Sequence, residues 1–350
     1  MGANPPRVSV VTTVYNGERF LAEAIESILD QSFRDFEYIL VDDASTDASP
    51  AIIETYARLD PRIRVIHNQL NLNPCGSINR ALEVAVGEYF ANLDQDDFAD
   101  RRRLELQIAF LDKHPEIGVV GAQARQIDHA GSARHTMSYP TSPAMARWVI
   151  LFGTPVLHSA ATIRRELLLQ VGGYSGHGKY AIDYALWAAL VECTKITNLP
   201  ETLVSYRRHA DQASSVASAS QQGEVWLLIY RMLAERLTLR IPLNDIGLLF
   251  HGVRRMKLED ATALERAAAL LSAIHRRYLE KEQPDPKVTE QIDEDYALRL
   301  LAMAWTHRNS QRVASRNLLC NALDTDPLLW KRPNTCAQLR KWRQGRQSGT

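Results

Sequence analysis

No apolar run in these 350 residues approaches the roughly 18 needed to cross a bilayer, so no transmembrane helix is predicted. Nor is there an excess of charge: 41 Lys and Arg residues balance 41 Asp and Glu. That balance excludes the field of a broadly basic nucleic-acid binder and that of an acidic, disordered solubiliser. Cysteine is scarce, and Cys75, Cys193, Cys320 and Cys336 lie far apart with no C-x-x-C spacing, which reads as reduced and unmetallated. The first seven residues hold no apolar segment of the secretory kind, and Pro6 stands where a myristoylation signal wants Ser or Thr. Neither G-x-G-x-x-G nor G-x-x-x-x-G-K-[ST] occurs, which argues against a bare Rossmann dehydrogenase and a P-loop enzyme. The expectation is a soluble, cytoplasmic protein, at most peripheral at the inner face of a membrane. Its length leaves room for roughly two domains.

The first half alternates strand and helix patterns. Residues 8–14 (VSVVTTV), 36–41 (FEYILV), 63–66 and 89–93 (YFANL) read as buried strands. Leu21, Ile25, Ile28 and Leu29 fall on one helical face, as do Ile78, Leu82 and Val86. Ser49-Pro50 looks like an N-cap followed by proline at the first helical position. Alternation at this spacing implies parallel strands with right-handed crossovers and helices on both faces. Residues 117–122 and 159–163 read as further strands, and residues 165–171 and 183–192 as helices. Beyond residue 215 only helical patterns remain, over 221–239, 262–278 and 296–323, with a proline-containing break at 282–287.

In such open sheets ligands sit beyond the carboxyl ends of the strands, which directs attention to Tyr15-Asn16, Asp42-Asp43 and Asp94-Gln95-Asp96-Asp97. Asp-x-Asp by itself means little, for the spacing recurs at Asp293/Asp295 and Asp324/Asp326. Position separates Asp94 and Asp96, which directly follow a buried strand. Two carboxylates about 4 Å apart repel by about 1 kcal/mol in water and about 4 kcal/mol at an effective dielectric of 20. A hard cation, Mn2+ or Mg2+, with a phosphate partner turns that repulsion into binding. Asp97 and Asp100 can instead serve the N-terminus of the following helix. Of Asp42 and Asp43, one can accept the imide N–H of a uracil or thymine, or the N1–H of guanine, while the other closes the turn. Spacing does not say which does which.

VSVVTTVYNGERFLAEAIESIL, FEYILVDDASTD and NRALEVAVGEYFANLDQDD together resemble the nucleotide-binding half of an inverting GT-A glycosyltransferase of family 2. VLHSAATIRRELLLQVGGYS, AIDYALW and LVSYRRHADQAS extend the resemblance, in unbroken order, to roughly residues 7–215. It implies an α/β GT-A fold, Rossmann-like and doubly wound on a mainly parallel sheet, followed by an α-helical C-terminal region. Residues 1–215 then form the glycosyltransferase domain, with a nucleotide-binding half at about 7–114 and an acceptor half at about 115–215, and residues 216–350 form the helical region. The resemblance places Thr13 and Tyr15 against the base and ribose, Asp43 on the base, and Asp94 and Asp96 at the metal and nucleotide, Asp96 favoured as the direct ligand. Asp183 matches the catalytic base and His209 a histidine near the diphosphate and metal. Arg103 and Leu104 match residues that follow the metal loop. The implied partners are a UDP- or dTDP-sugar donor and a glycan or lipid-linked acceptor, with no nucleic acid. Ile182 and Ala185 replace acids common beside the base, a departure that bears on the acceptor pocket.

By residue type alone, Asp183 also suits a helix N-cap and His158 suits packing. Arg207 and Arg208 beside His209 suit a cationic clamp on a diphosphate. A sugar-phosphate nucleotidyltransferase, or a non-catalytic nucleotide-sugar-binding protein on the same fold, is the alternative. Residues 298–327 resemble one tetratricopeptide-like helical pair, with Ala302, Ala314 and Ala322 as small packing positions. The basic residues 331–350 are the part suited to peripheral contact with anionic lipid.

Overall fold

The computed structural model describes residues 5–174, 181–209, 212, 218–253 and 258–329. The basic segment 331–350 lies outside them. The chain divides into two compact units, residues 1–225 and 226–350.

In the first unit, strands β1 (Val8–Val14), β2 (Phe36–Asp42), β3 (Ile63–His67) and β4 (Tyr89–Asn92) alternate with helices α1 (Leu21–Leu29), α2 (Ser49–Leu59) and α3 (Asn73–Val84). Then follow β5 (Phe98–Ala99), α4 (Arg103–Lys113), β6 (Ile117–Asp128), β7 (Ala133–Met137), α5 (Pro143–Val149), a 3-10 turn (His158–Ala160), β8 (Thr162–Arg164), α6 (Arg165–Gln170), α7 (Ile182–Cys193) and β9 (Lys195–Arg208). The described strands form one sheet in the order β3-β2-β1-β4-β8-β6-β9-β5, with β7 on β6. β1 to β4 pair in parallel, and β8 runs antiparallel to β4 and β6. β1 is buried at every position but the half-buried Thr13, and β4 at all four, as strands covered on both faces require. Gly87, before β4, has no alternative: a Cβ there would lie 2.5 Å from the Ser9 backbone nitrogen. The crossover from β3 through α3 to β4 passes beyond β1, so the strand order switches between β1 and β4. That is where a sheet of this kind opens a crevice for a ligand.

Arg103, fully buried at the start of α4, ties the centre of the sheet together. Its Nη2 donates to the carbonyls of Asn92 (2.8 Å) and Ala161 (3.1 Å), and its Nε to Gln107 Oε1 (3.2 Å). Gln107 in turn donates to Ala160 O (2.7 Å) and accepts from Thr162 Oγ1 (2.7 Å). Burial lowers the Arg103 guanidinium to about 10, with the Asp94 and Asp97 carboxylates opposing the shift. Arg103→Met leaves this hydrogen-bonding set unmatched, and the expected cost is about 2–4 kcal/mol. Calorimetry should record a melting temperature lower by roughly 5–15 °C.

Several local expectations are corrected. The cap of α2 is Ala48, not Ser49, because the Ser49 hydroxyl accepts the N–H of Gly17 instead (2.9 Å). The strand expected at 117–122 runs on to Asp128, and residues 158–160 form a turn ahead of β8.

The second unit is helical. α8 (Ser218–Arg236) enters it, and α9 (Leu243–Val253), α10 (Ala261–Glu282), α11 (Pro286–His307) and α12 (Arg312–Thr325) complete it. The helical stretch expected over 296–323 falls in α11 and α12, the two separated by a turn in which the Ser310 and Gln311 N–H groups donate to His307 O. Ala302, Ala314 and Ala322 are buried. No described helix is long and apolar enough to cross a membrane.

Candidate active site

The residues expected at the nucleotide base lie at the ends of β1 and β2. Asp43 follows β2, and its N–H donates to Val14 O at 2.7 Å, which fixes it beside the end of β1. The two aspartates divide their duties. Asp42 closes the turn, accepting from the Ser45 N–H at Oδ1 (3.2 Å), with His67 Nδ1 3.3 Å from Oδ2. Asp43 Oδ1 accepts from Leu72 N (2.7 Å) and Asn68 Nδ2 (2.8 Å), and Asn68 is itself held by Arg80 (2.7 Å). A buried carboxylate oriented through one oxygen by fixed donors presents the other as an acceptor. Thr13 sits one residue before the end of β1, in register with Val41, and Tyr15 is exposed just beyond it.

The acidic loop Asp94-Gln95-Asp96-Asp97 follows β4. Asp94 Oδ1 is 3.0 Å from His158 Nδ1, and its N–H donates to Ser159 Oγ. The other ring nitrogen of His158 is 3.1 Å from Tyr174 Oη, which accepts from Asn92 Nδ2 (2.9 Å). Asp96 Oδ2 is 2.9 Å from His209 Nε2. Asp97 does not decorate α4 as a helix-end acid. It is buried, and its Oδ1 accepts the Arg207 N–H (2.8 Å). Asp100 lies two residues ahead of the Arg102 cap, its Oδ1 accepting from Arg102 N (2.9 Å) in a local turn. Arg207 is no diphosphate clamp either. It is 3% exposed, donates to Asp96 O (3.0 Å) and Glu23 Oε2 (2.5 Å), and stacks 4.4 Å from the Phe20 ring centroid.

Three carboxylates in one short loop perturb one another. Burial raises Asp97 well above the usual carboxylate range, and Asp96 and Asp94 add to the rise. Burial also raises Asp96, helped by the charge of Asp94. Asp94 suffers the same burial, but the neighbouring His158 outweighs it and lowers the pKa. Among the described residues no three His, Cys, Asp or Glu side chains form a closed metal cage. The donor set, carboxylate oxygens with one imidazole, fits a hard divalent cation that takes few protein ligands and completes its shell with water and phosphate oxygens.

Asp183 lies in the first turn of α7, whose cap is Ala181, so it is not the N-cap. Its Oδ1 accepts the Tyr184 N–H (2.8 Å). Burial raises its pKa, the charge of His158 opposes the rise, and Asp94 reinforces it. The Asp183 carboxyl thus feels the charges of His158 and Asp94. His158, which residue type alone assigns to packing, is the side chain that joins Asp94 to this environment. Only its place directly before a strand that pairs with β4 pointed to it.

A family model described as glycosyl transferase family 2 matches residues 9–172. A putative glycosyltransferase of Bacillus subtilis, EpsE, is 37% identical over 246 residues, an overlap covering 69% of this chain and 85% of that protein. The chain belongs to glycosyltransferase family 2. Among solved structures, TarS residues 1–349 from S. aureus in complex with UDP-GlcNAc superimposes with a TM-score of 0.57 at 19% identity, covering 91% of each chain. The mannosyltransferase PcManGT from Pyrobaculum calidifontis, in complex with GDP-Man and Mn2+, gives 0.53 at 20% identity, covering 91% of this chain and 88% of its own. These likenesses show the GT-A fold.

Proposed function

We propose that this glycosyltransferase is metal-dependent and inverting. It moves a sugar from a nucleoside-diphosphate sugar, with uridine or thymidine favoured, to an acceptor hydroxyl of a glycan or lipid-linked glycan during polysaccharide assembly. One observation carries the reading: at the switch point of the sheet a carboxylate-rich loop sets Asp94 3.0 Å from His158 and Asp96 2.9 Å from His209, and the charges of His158 and Asp94 act on the Asp183 carboxyl. Asp43 accepts from the base, and Thr13 and Tyr15 line the base and ribose. Mn2+ or Mg2+ would be held by Asp96, with Asp94 and His209 beside it, and when bound supplies positive charge for the diphosphate. Asp183, ionised, takes the acceptor's hydroxyl proton as that oxygen attacks the anomeric carbon from the face opposite the diphosphate. The bond from the anomeric carbon to the phosphate oxygen breaks, its electron pair leaves with the diphosphate, and the configuration inverts. Structures of this fold hold UDP-GlcNAc in one case and GDP-Man in another, which supports a nucleoside-diphosphate sugar as the donor class.

The test is a thermal-shift panel of nucleotide-sugars with Mn2+ or with EDTA, paired with an assay for released nucleoside diphosphate. Stabilisation that needs both the cation and one nucleotide supports the reading, since binding at a hundred times Kd adds about 2.7 kcal/mol. Indifference to metal overturns the metal dependence. The pH profile adds a second check. Only ionised Asp183 can act as base, and its carboxyl is raised. At saturating metal, kcat/KM should therefore fall on acidification with a midpoint above the ordinary carboxylate value of about 3.9. A profile flat down to that value excludes Asp183 as the base.

A further inference from the structure

At the switch point the loops that follow β1 and β4 meet, and a single side chain joins them. Gln95 stands between the two aspartates, and its amide pairs with the Tyr15 backbone as a neighbouring strand would. The Tyr15 N–H donates to Oε1 at 2.9 Å, and Nε2 donates to the Tyr15 carbonyl at 3.2 Å. The far side of the same loop is tied to the base side. Asn16, in the left-handed region at φ 50°, accepts the Thr46 N–H at Oδ1 (2.8 Å) and donates its own N–H to Ser45 Oγ (3.0 Å). Ser45 and Thr46 closely follow Asp43. Residues 15–17 are thus clasped between the metal loop and the loop that carries the base carboxylate. Gly17 permits the approach, because a Cβ there would come 2.4 Å from Gln95 Oε1.

We infer that Gln95 is a positioning residue that couples cation binding to nucleotide binding. The inference rests on the proposed donor site, in which Asp43 and Asp96 grip opposite ends of one nucleotide. A ligand that bridges both grips gains most when their separation is fixed beforehand, because no ordering of the loops is then required on binding. The Gln95 amide fixes it by two hydrogen bonds that bypass both aspartates. Its loss leaves each grip intact and weakens the advantage of filling them together, which is a coupling between sites in the thermodynamic sense.

The experiment measures the Kd of UDP in EDTA and in saturating Mn2+ for the wild type, Gln95→Met, Gln95→Ala, Gly17→Ala and the double variant Gly17→Ala/Gln95→Ala. Met fills the volume of Gln without its amide. In Gln95→Met the Mn2+-dependent gain in UDP affinity should shrink about tenfold, as expected for two lost hydrogen bonds, while affinity in EDTA shifts by about threefold or less. Gly17→Ala displaces the amide from the opposite side and should give a similar loss. Because the clash needs both partners, the double variant should match Gln95→Ala alone, with no multiplication of effects. An undiminished Mn2+ gain in Gln95→Met, or losses that multiply in the double variant, overturns the inference. A wild type whose UDP affinity ignores Mn2+ overturns the metal reading itself, and with it this one.

Discussion

Asp183→Asn should reduce sugar transfer by about a hundredfold to ten-thousandfold, the range that a positioned general base supplies, while UDP affinity in Mn2+ stays at the wild-type value. Asn keeps the shape, and its carbonyl oxygen can still accept the Tyr184 N–H that Asp183 Oδ1 accepts now. What it cannot do is take a proton from the acceptor. Stability provides the control. The Asp183 carboxyl is raised by burial, so the folded state holds that proton more tightly than the unfolded chain. Its stabilising contribution is therefore complete below the unfolded pKa and is lost as pH rises through the folded one. At neutral pH the ionised group is a burden on the fold, and Asn removes it. The variant should melt at or above the wild-type temperature while turning over far more slowly. A lower melting temperature together with lost UDP binding would show that Asp183 is structural.

How much of this was legible in the sequence follows from how each element is buried. β1 and β4 are covered on both faces, so their apolar runs stand out, and α1 shows Leu21, Ala24, Ile25 and Ile28 on its buried side. Residues 115–215 read poorly because they are held by buried polar groups. β6 continues through Gln123, whose amide accepts from Tyr139 N and donates to Leu199 O, so the apolar pattern that announces the strand over 117–122 does not carry it on to Asp128. β9 holds Asn198 and Pro200, and its pairing with β6 shifts register twice near them. In the site, residue type and position indicated the aspartates, because carboxylates after buried strands have few structural uses. The partners of His158, Gln95 and Arg207 were not legible in the same way. Each acts through a partner more than 60 residues away in the chain, and only the folded sheet brings the pairs together.

Asp96→Ala carries the second large effect, and the reason it should exceed Asp94→Ala lies in how the two charges are already balanced. Asp94 has His158 at 3.0 Å and a lowered pKa, so the protein itself compensates much of its charge. Asp96 has a histidine as well, His209 at 2.9 Å, but burial and the charge of Asp94 outweigh it and raise the carboxyl, which leaves Asp96 the carboxylate with more to gain from an added cation. Losing several kcal/mol of charge stabilisation corresponds to a fall in turnover of about a thousandfold, at about 1.4 kcal/mol per factor of ten. Thermal melting should separate the two consequences of the substitution. Without metal, Asp96→Ala removes a buried like charge from the loop and should melt at or above the wild type. With UDP and Mn2+ present the order should reverse, because the wild type gains stability from its ligands and the variant gains little. A variant that keeps the full Mn2+-dependent stabilisation by UDP would move the cation away from Asp96, and Asp94→Ala under the same conditions would then show whether the cation belongs to the neighbouring carboxylate.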